Sequence, residues 1–155
     1  MPKGKIKTPE VKPNQRKVRF SFECLQIDHP RFPIAECTRE YYEALLREIL
    51  RYQQYTVDQF SDIPNPNPER RHPIYFVDTE EKDGFPGIDP SMEDLWTDDP
   101  WQFALPGERG TPSFGWRVHG FISENVFHIV WLDPCHKLDS PDPRFHEPND
   151  SLHGG

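Results

Sequence analysis

Two runs near the C-terminal end, residues 116–123 (WRVHGFIS) and 126–133 (VFHIVWLD), alternate apolar and polar side chains around Glu124-Asn125. Alternation at period two on both sides of a two-residue turn predicts a β-hairpin. This feature constrains the fold more than any other, because a hairpin register assigns every side chain to one face or the other. With Glu124-Asn125 as the turn, Ser123 pairs with Val126, Ile122 with Phe127, Gly120 with Ile129 and Val118 with Trp131. That apolar side should carry the core. The opposite side carries Phe121 against His128, His119 against Val130, and Arg117 against Leu132.

The rest of the chain supplies partners for such a hairpin. Residues 101–105 (WQFAL) alternate cleanly and predict a third strand of a meander, with PGERGTPSFG as a turn-rich connection. Near the start, Val18, Phe20, Phe22 and Cys24 alternate with polar residues, predicting a strand with Cys24 on its buried face. Residues 74–78 (IYFVD) read as a short strand. The clearest helix follows Thr38, a good N-cap, with Tyr41, Tyr42, Leu45, Leu46, Ile49 and Leu50 as one apolar stripe. A second short helix should start at Thr56, where Gln59 completes a capping box. Ser91 and Asp94 fit the capping of a single turn bearing Met92, Leu95 and Trp96. The expected fold is therefore α+β, with two helices from the N-terminal half on one face of a mostly antiparallel sheet of about four strands. Its core should include Phe20, Phe22, Leu45, Leu46, Ile49, Phe103, Val118, Ile129 and Trp131.

Composition narrows the class. Eighteen prolines in 155 residues exclude an all-helical bundle. No run approaches the length of a membrane span, and the N-terminal segment lacks the apolar stretch of a secretory signal. Cys24, Cys37 and Cys135 are odd in number and contain no CxxC pair. A disulfide scaffold or zinc ribbon is not expected, and a reducing, cytoplasmic setting is. The net charge of −8 divides unevenly: +6 over residues 1–20, −2 over 21–55, −9 over 56–100 and −3 over 101–155. We read residues 1–16 as a basic disordered arm, 17–138 as one domain and 139–155 as a disordered tail.

Placed on one open sheet face, Arg117, His119 and His128 would form a candidate acid–base centre for RNA cleavage. Imidazoles exchange protons near neutral pH, and a guanidinium holds a phosphate at two points. One histidine would deprotonate the 2′-hydroxyl, the other would protonate the leaving oxygen, and Arg117 would stabilise the developing charge. Arg70, Arg71 and His72 make a basic spot in an acidic stretch, and His136 and Lys137 emerge at the sheet edge. These five are candidate contacts to RNA or a partner. His119, His128 and His136 lack compact ligand spacing, so no metal or cofactor is expected. A second class of function rests on the acidic segment 78–99, which would dock on a basic protein partner such as a nucleic-acid enzyme.

The strings HPIYFVD, PWQFAL and RVHGFISENVFHIVWLDPCHKL resemble a family of short, largely uncharacterised bacterial proteins with a pattern close to HPI, PWQF, RVHGF, VFYIVWLDP and HKLY, and the resemblance covers residues 18–138. The chain departs from that pattern at His128, where an aromatic is usual, and at Asp139, where tyrosine is usual. The order strand, two helices, antiparallel meander also looks like the RelE/ParE toxin superfamily. That resemblance implies a toxin-like protein whose sheet face opposite the helices meets messenger RNA, the ribosome or a target protein. Toxin–antitoxin, defence or phage-related interactions are the settings expected for the alternative, the acidic module that docks on a basic partner. Residues 21–155 sum to −14, whereas ribosome-dependent nucleases are strongly basic.

Overall fold

A computed structural model describes residues 11–138. The expectations for residues 1–10 and 139–155 lie outside the described residues. The architecture is α+β: three short helices and one five-stranded sheet in the order β1-β5-β4-β3-β2. The strands are β1 (Arg19–Ser21), β2 (His72–Pro73), β3 (Pro100–Ala104), β4 (Arg117–Ser123) and β5 (Val126–Asp133). The meander β3-β4-β5 is antiparallel as expected, while β1 joins the edge of β5 in parallel, through Phe20 opposite Phe127. The sheet is thus mixed and has five strands rather than four.

Helix α1 (Arg39–Tyr52) begins where Thr38 Oγ1 accepts the Tyr41 amide at 3.1 Å. It buries Tyr41, Leu45, Glu48, Ile49 and Tyr52, spaced at three and four residues, on the sheet. Leu46 and Leu50 lie about a quarter-turn away and stay exposed, a correction to the broader stripe read from the sequence. Helix α2 (Val57–Ser61) carries the full capping box, with Thr56 Oγ1 accepting from the Gln59 amide and Gln59 Oε1 from the Thr56 amide. Residues 11–16, the described part of the basic arm, lie against α2, with Asn14 Nδ2 donating to Asp58 at 3.0 Å. Strand β1 stops at Ser21, and the chain turns before Gln26 returns its amide to Val130 O. Phe22 sits in that excursion, 46 % exposed, and Cys24 is half-buried there rather than in a strand.

The segment 74–78 is not a strand. Phe76–Asp78 form a 3₁₀ turn closed by Thr79, whose hydroxyl donates to Phe76 O at 2.8 Å, and β2 ends at Pro73, ahead of the segment. The turn Pro90–Met92 leads into α3 (Glu93–Asp98), and Asp89, not Ser91, supplies the cap by accepting the Ser91 amide.

The hairpin turns at Glu124-Asn125, with Glu124 at φ 57°, and the expected pairs hold from Ser123↔Val126 to Gly120↔Ile129. Beyond them the register shifts: His119 pairs with Trp131, Val118 with Leu132 and Arg117 with Asp133. Val130 is the extra residue of a β-bulge. Gly120 permits it, because a Cβ there would stand 2.1 Å from His128 O. The bulge turns Trp131 onto the face away from α1 and α2, and Leu132 takes its place in the helix-side core with Val118, Ile129, Phe103 and Phe127.

The second face has its own core. Phe32, Ile74, Phe85, Phe121, Val130 and Trp131 are buried there, joined by Leu138. Trp131 stacks on Phe32 with centroids 4.7 Å apart and meets Phe85 edge-on at 4.7 Å. Trp96 of α3 reaches Phe85 and Phe76 over Gly84, whose φ of 80° and absent Cβ leave the space the indole fills. The loop after β1 and the acidic segment thus cover the face that the sequence reading left open.

Candidate functional site

The face opposite α1 and α2 carries a polar row across four strands. His72 on β2 meets Gln102 on β3, Nε2 to Nε2 at 2.7 Å. Gln102 stands directly across from His119 on β4, and His119 Nε2 lies 2.9 Å from Oδ2 of Asp133 on β5. Gln102, His119 and Asp133 are all buried, His119 and Asp133 fully. The bulge is what brings His119 and Asp133 together, since the uninterrupted register pairs His119 with Val130.

Asp133 is the hub of this row. Its two carboxylate oxygens accept from His119, from the Lys137 amide at 2.9 Å and from the Leu138 amide at 3.2 Å. Burial alone would raise its pKa, but the hydrogen bond and charge of His119, with the Lys137 amide, hold the carboxyl below its ordinary value. Asp133 thereby ties the DPCHKL turn, in which His136 takes φ 55°, back onto the sheet. His119 Nδ1 makes no hydrogen bond among the described residues.

The other expected site residues fall into three places. Arg117 is buried, with Nη1 donating to Phe114 O at 3.0 Å and Trp116 O at 3.1 Å. His128 lies on the same face, stacked on Phe121 at 4.7 Å, and burial lowers its pKa despite nearby Glu23. The structure therefore brings Arg117, His119 and His128 to one sheet face, as read from the sequence, but beneath the covering segments rather than open to solvent. His136 is buried in the C-terminal turn, and Lys137 Nζ binds Glu36 at 2.9 Å and Arg31 O at 3.2 Å. Arg71 faces the helix side, pairs with Glu69 and packs its guanidinium on Tyr52, Tyr55 and Phe60. Arg70 is exposed and lies over the Phe114 ring at 5.3 Å. The three basic neighbours 70–72 thus point to three different surroundings.

Two groups were not singled out from the sequence. Gln102 and Asp133 complete the polar row, and their signal was positional: Gln102 sits on the polar side of WQFAL. The second is the ion network Glu48–Arg51–Glu69–Arg71, in which Arg51 bridges both glutamates. It borders a cleft of about 290 Å³ floored by Ala104, Leu105 and Phe114.

The acidic segment keeps its carboxylates wet. Of nine between Asp78 and Asp99, set against one lysine, seven are exposed: Asp78, Glu80, Asp83, Asp89, Glu93, Asp94 and Asp98. Glu81 is spent on the chain itself, 3.4 Å from His29 Nε2 and 3.7 Å from Arg31. Just ahead of the segment, Tyr75 and Val77 are 65 % and 72 % exposed.

All three cysteines are free thiols, and burial raises each pKa, that of Cys37 to about 12. Among the described residues no three His, Cys, Asp or Glu side chains are grouped for a metal ion, and no helix is long and apolar enough to cross a membrane. Comparison with protein-family models, with curated proteins and with solved structures finds no match.

Proposed function

We propose that the protein is a non-enzymatic binding module whose acidic segment, residues 78–99, docks on a basic surface of a protein partner. The observation that carries this reading is the seven exposed carboxylates of that segment. The segment is anchored rather than loose, because Phe85 and Trp96 pack on the sheet from within it. An acidic surface held in one geometry steers a basic partner and fixes its orientation. Tyr75 and Val77 beside it add apolar contact area that a purely electrostatic surface lacks.

The test is capture of a partner from host lysate, with and without nuclease treatment, by the parent protein and by a variant with Glu80→Gln, Asp83→Asn, Glu93→Gln and Asp94→Asn. The expected result is a partner retained by the parent, released by salt and not retained by the variant. Equal capture by both proteins overturns the reading, as does capture that nuclease treatment abolishes.

One observation favours a second reading, a toxin-like protein acting as a metal-independent endoribonuclease. Arg117, His119 and His128 share the sheet face that the RelE/ParE-like element order implies for RNA. Because these side chains are buried, the reading requires the covering segments to move aside. It predicts growth arrest on expression, relief by His119→Ala or Arg117→Ala, and RNA cleavage that persists in EDTA. Harmless expression of the parent protein overturns it.

A further inference from the structure

Cys24 Sγ and Met92 Sδ lie 3.7 Å apart, with the thiol donating to the thioether. They come from different elements, the turn after β1 and the turn that leads into α3. Both line an open cleft of about 300 Å³ whose rim also carries Glu23 and Asp89. The polar row does not use this place, and of the seven exposed carboxylates of the acidic segment only Asp89 borders it.

We propose that the Cys24–Met92 pair is a binding site for a soft monovalent metal ion, copper(I) in a reducing setting. Four features argue for it. A thiolate and a thioether are the donor types that select copper(I) over hard divalent ions. Two sulfurs 3.7 Å apart, each about 2.3 Å from a shared ion, subtend about 107° at it. That angle suits three- or four-coordination and leaves a position facing the cleft for an exchangeable ligand. Two carboxylates stand near: the charges of Glu23 and Asp89, after burial, help to push the Cys24 thiol up, and the same charges favour a cation. Finally, among the described residues no three His, Cys, Asp or Glu side chains are grouped closely enough to hold one ion, whereas zinc takes three or four such ligands.

On binding, the thiol proton leaves to water and the ion takes its place between the two sulfurs, with no change of oxidation state. Affinity therefore rises with pH, close to tenfold per unit while the thiol remains protonated.

The experiment uses full-length protein with Cys37→Ser and Cys135→Ser, so that Cys24 is its one thiol. Copper(I) is titrated anaerobically against a chromophoric copper(I) chelator. The expected result is one equivalent bound, with a thiolate-to-copper absorption band. Binding should weaken at least tenfold in Met92→Leu and vanish in Cys24→Ser. Less than one equivalent bound at chelator-buffered concentrations, or equal affinity in Met92→Leu, overturns the site. Should Met92→Leu not fold, X-ray absorption of the loaded parent decides. Two sulfur neighbours at about 2.3 Å support the pair, and a single sulfur overturns it.

Discussion

Removing the imidazole of His119 would strand the Asp133 carboxylate in a fully buried site, with two backbone amides as its remaining donors. A buried charge that loses a partner costs more than the hydrogen bond itself contributed. We expect His119→Ala to destabilise by about 3 kcal/mol in urea unfolding. Pairing it with Asp133→Asn should recover part of that loss, since the charge then goes with its partner. His128 makes a prediction of different sign structure. Its folded-state pKa is held below the ordinary value near 6.5 by burial, so between the folded pKa and 6.5 the unfolded chain binds more protons. Its contribution is fully present above pH 6.5 and is lost as pH falls through the folded pKa. His29, also lowered by burial, acts in the same direction. Melting temperatures at pH 7.5 and 5.5 should therefore differ less in His128→Phe, which keeps the stack on Phe121, than in the parent. An unchanged difference would assign the acid sensitivity elsewhere.

At the scale of elements, the bulge in the hairpin is the point where close approach of two strands depends on one missing atom. Gly120→Ala would place a Cβ 2.1 Å from His128 O and 2.6 Å from Phe127. The backbone cannot yield there without losing the shift that pairs His119 with Trp131, so we expect destabilisation of about 1–3 kcal/mol, read as an earlier urea midpoint. This is also where the sequence stops being legible. The turn at Glu124-Asn125, the capping box at Thr56 and the Thr38 cap are local chemistry, written within four residues, and each stands as read. A bulge is not local: alternation reads the same on both sides of Val130, and what inserts the extra residue is contact between two strands. The segment 74–78 misled for a related reason. Its alternation of buried Ile74 and exposed Tyr75 is real, but Phe76, Val77 and Asp78 curl into a turn closed by a side-chain hydroxyl. Leu46 of α1 and Phe22 after β1 are apolar yet exposed, because the number of apolar residues at an element exceeds the width of the face it buries.

For the whole molecule, the decisive feature is that the sheet is covered on both faces. The candidate residues were legible as a group on one face, since period two alone places Arg117 and His119 together. Their burial was not, because it depends on Phe32 and Phe85 arriving from segments that read as loops, with Trp96 from the short helical turn beyond them. Trp131 is the centre of that second core, wholly buried, with its indole donating to Gln26 Oε1 at 2.7 Å. Trp131→Ala should cost about 3–5 kcal/mol. Because the loss falls on the covering layer, hydrogen exchange should rise first in residues 78–99 and only later in β3 and β4. Uniform loss of protection would mean that the two cores melt as one unit.

The parallel pairing of β1 with β5 joins residue 19 to residue 126, so β1 has no strand partner until β5 exists. A ribosome making this protein would release α1 and α2 early, yet the sheet edge they stand beside could not be zipped until residues 126–128 had cleared the exit tunnel. Long-range pairing of this kind slows folding and delays closure until residues 126–128 are in place. Chains arrested before residue 126 would carry the first strand unpaired, open to proteases and to neighbouring chains.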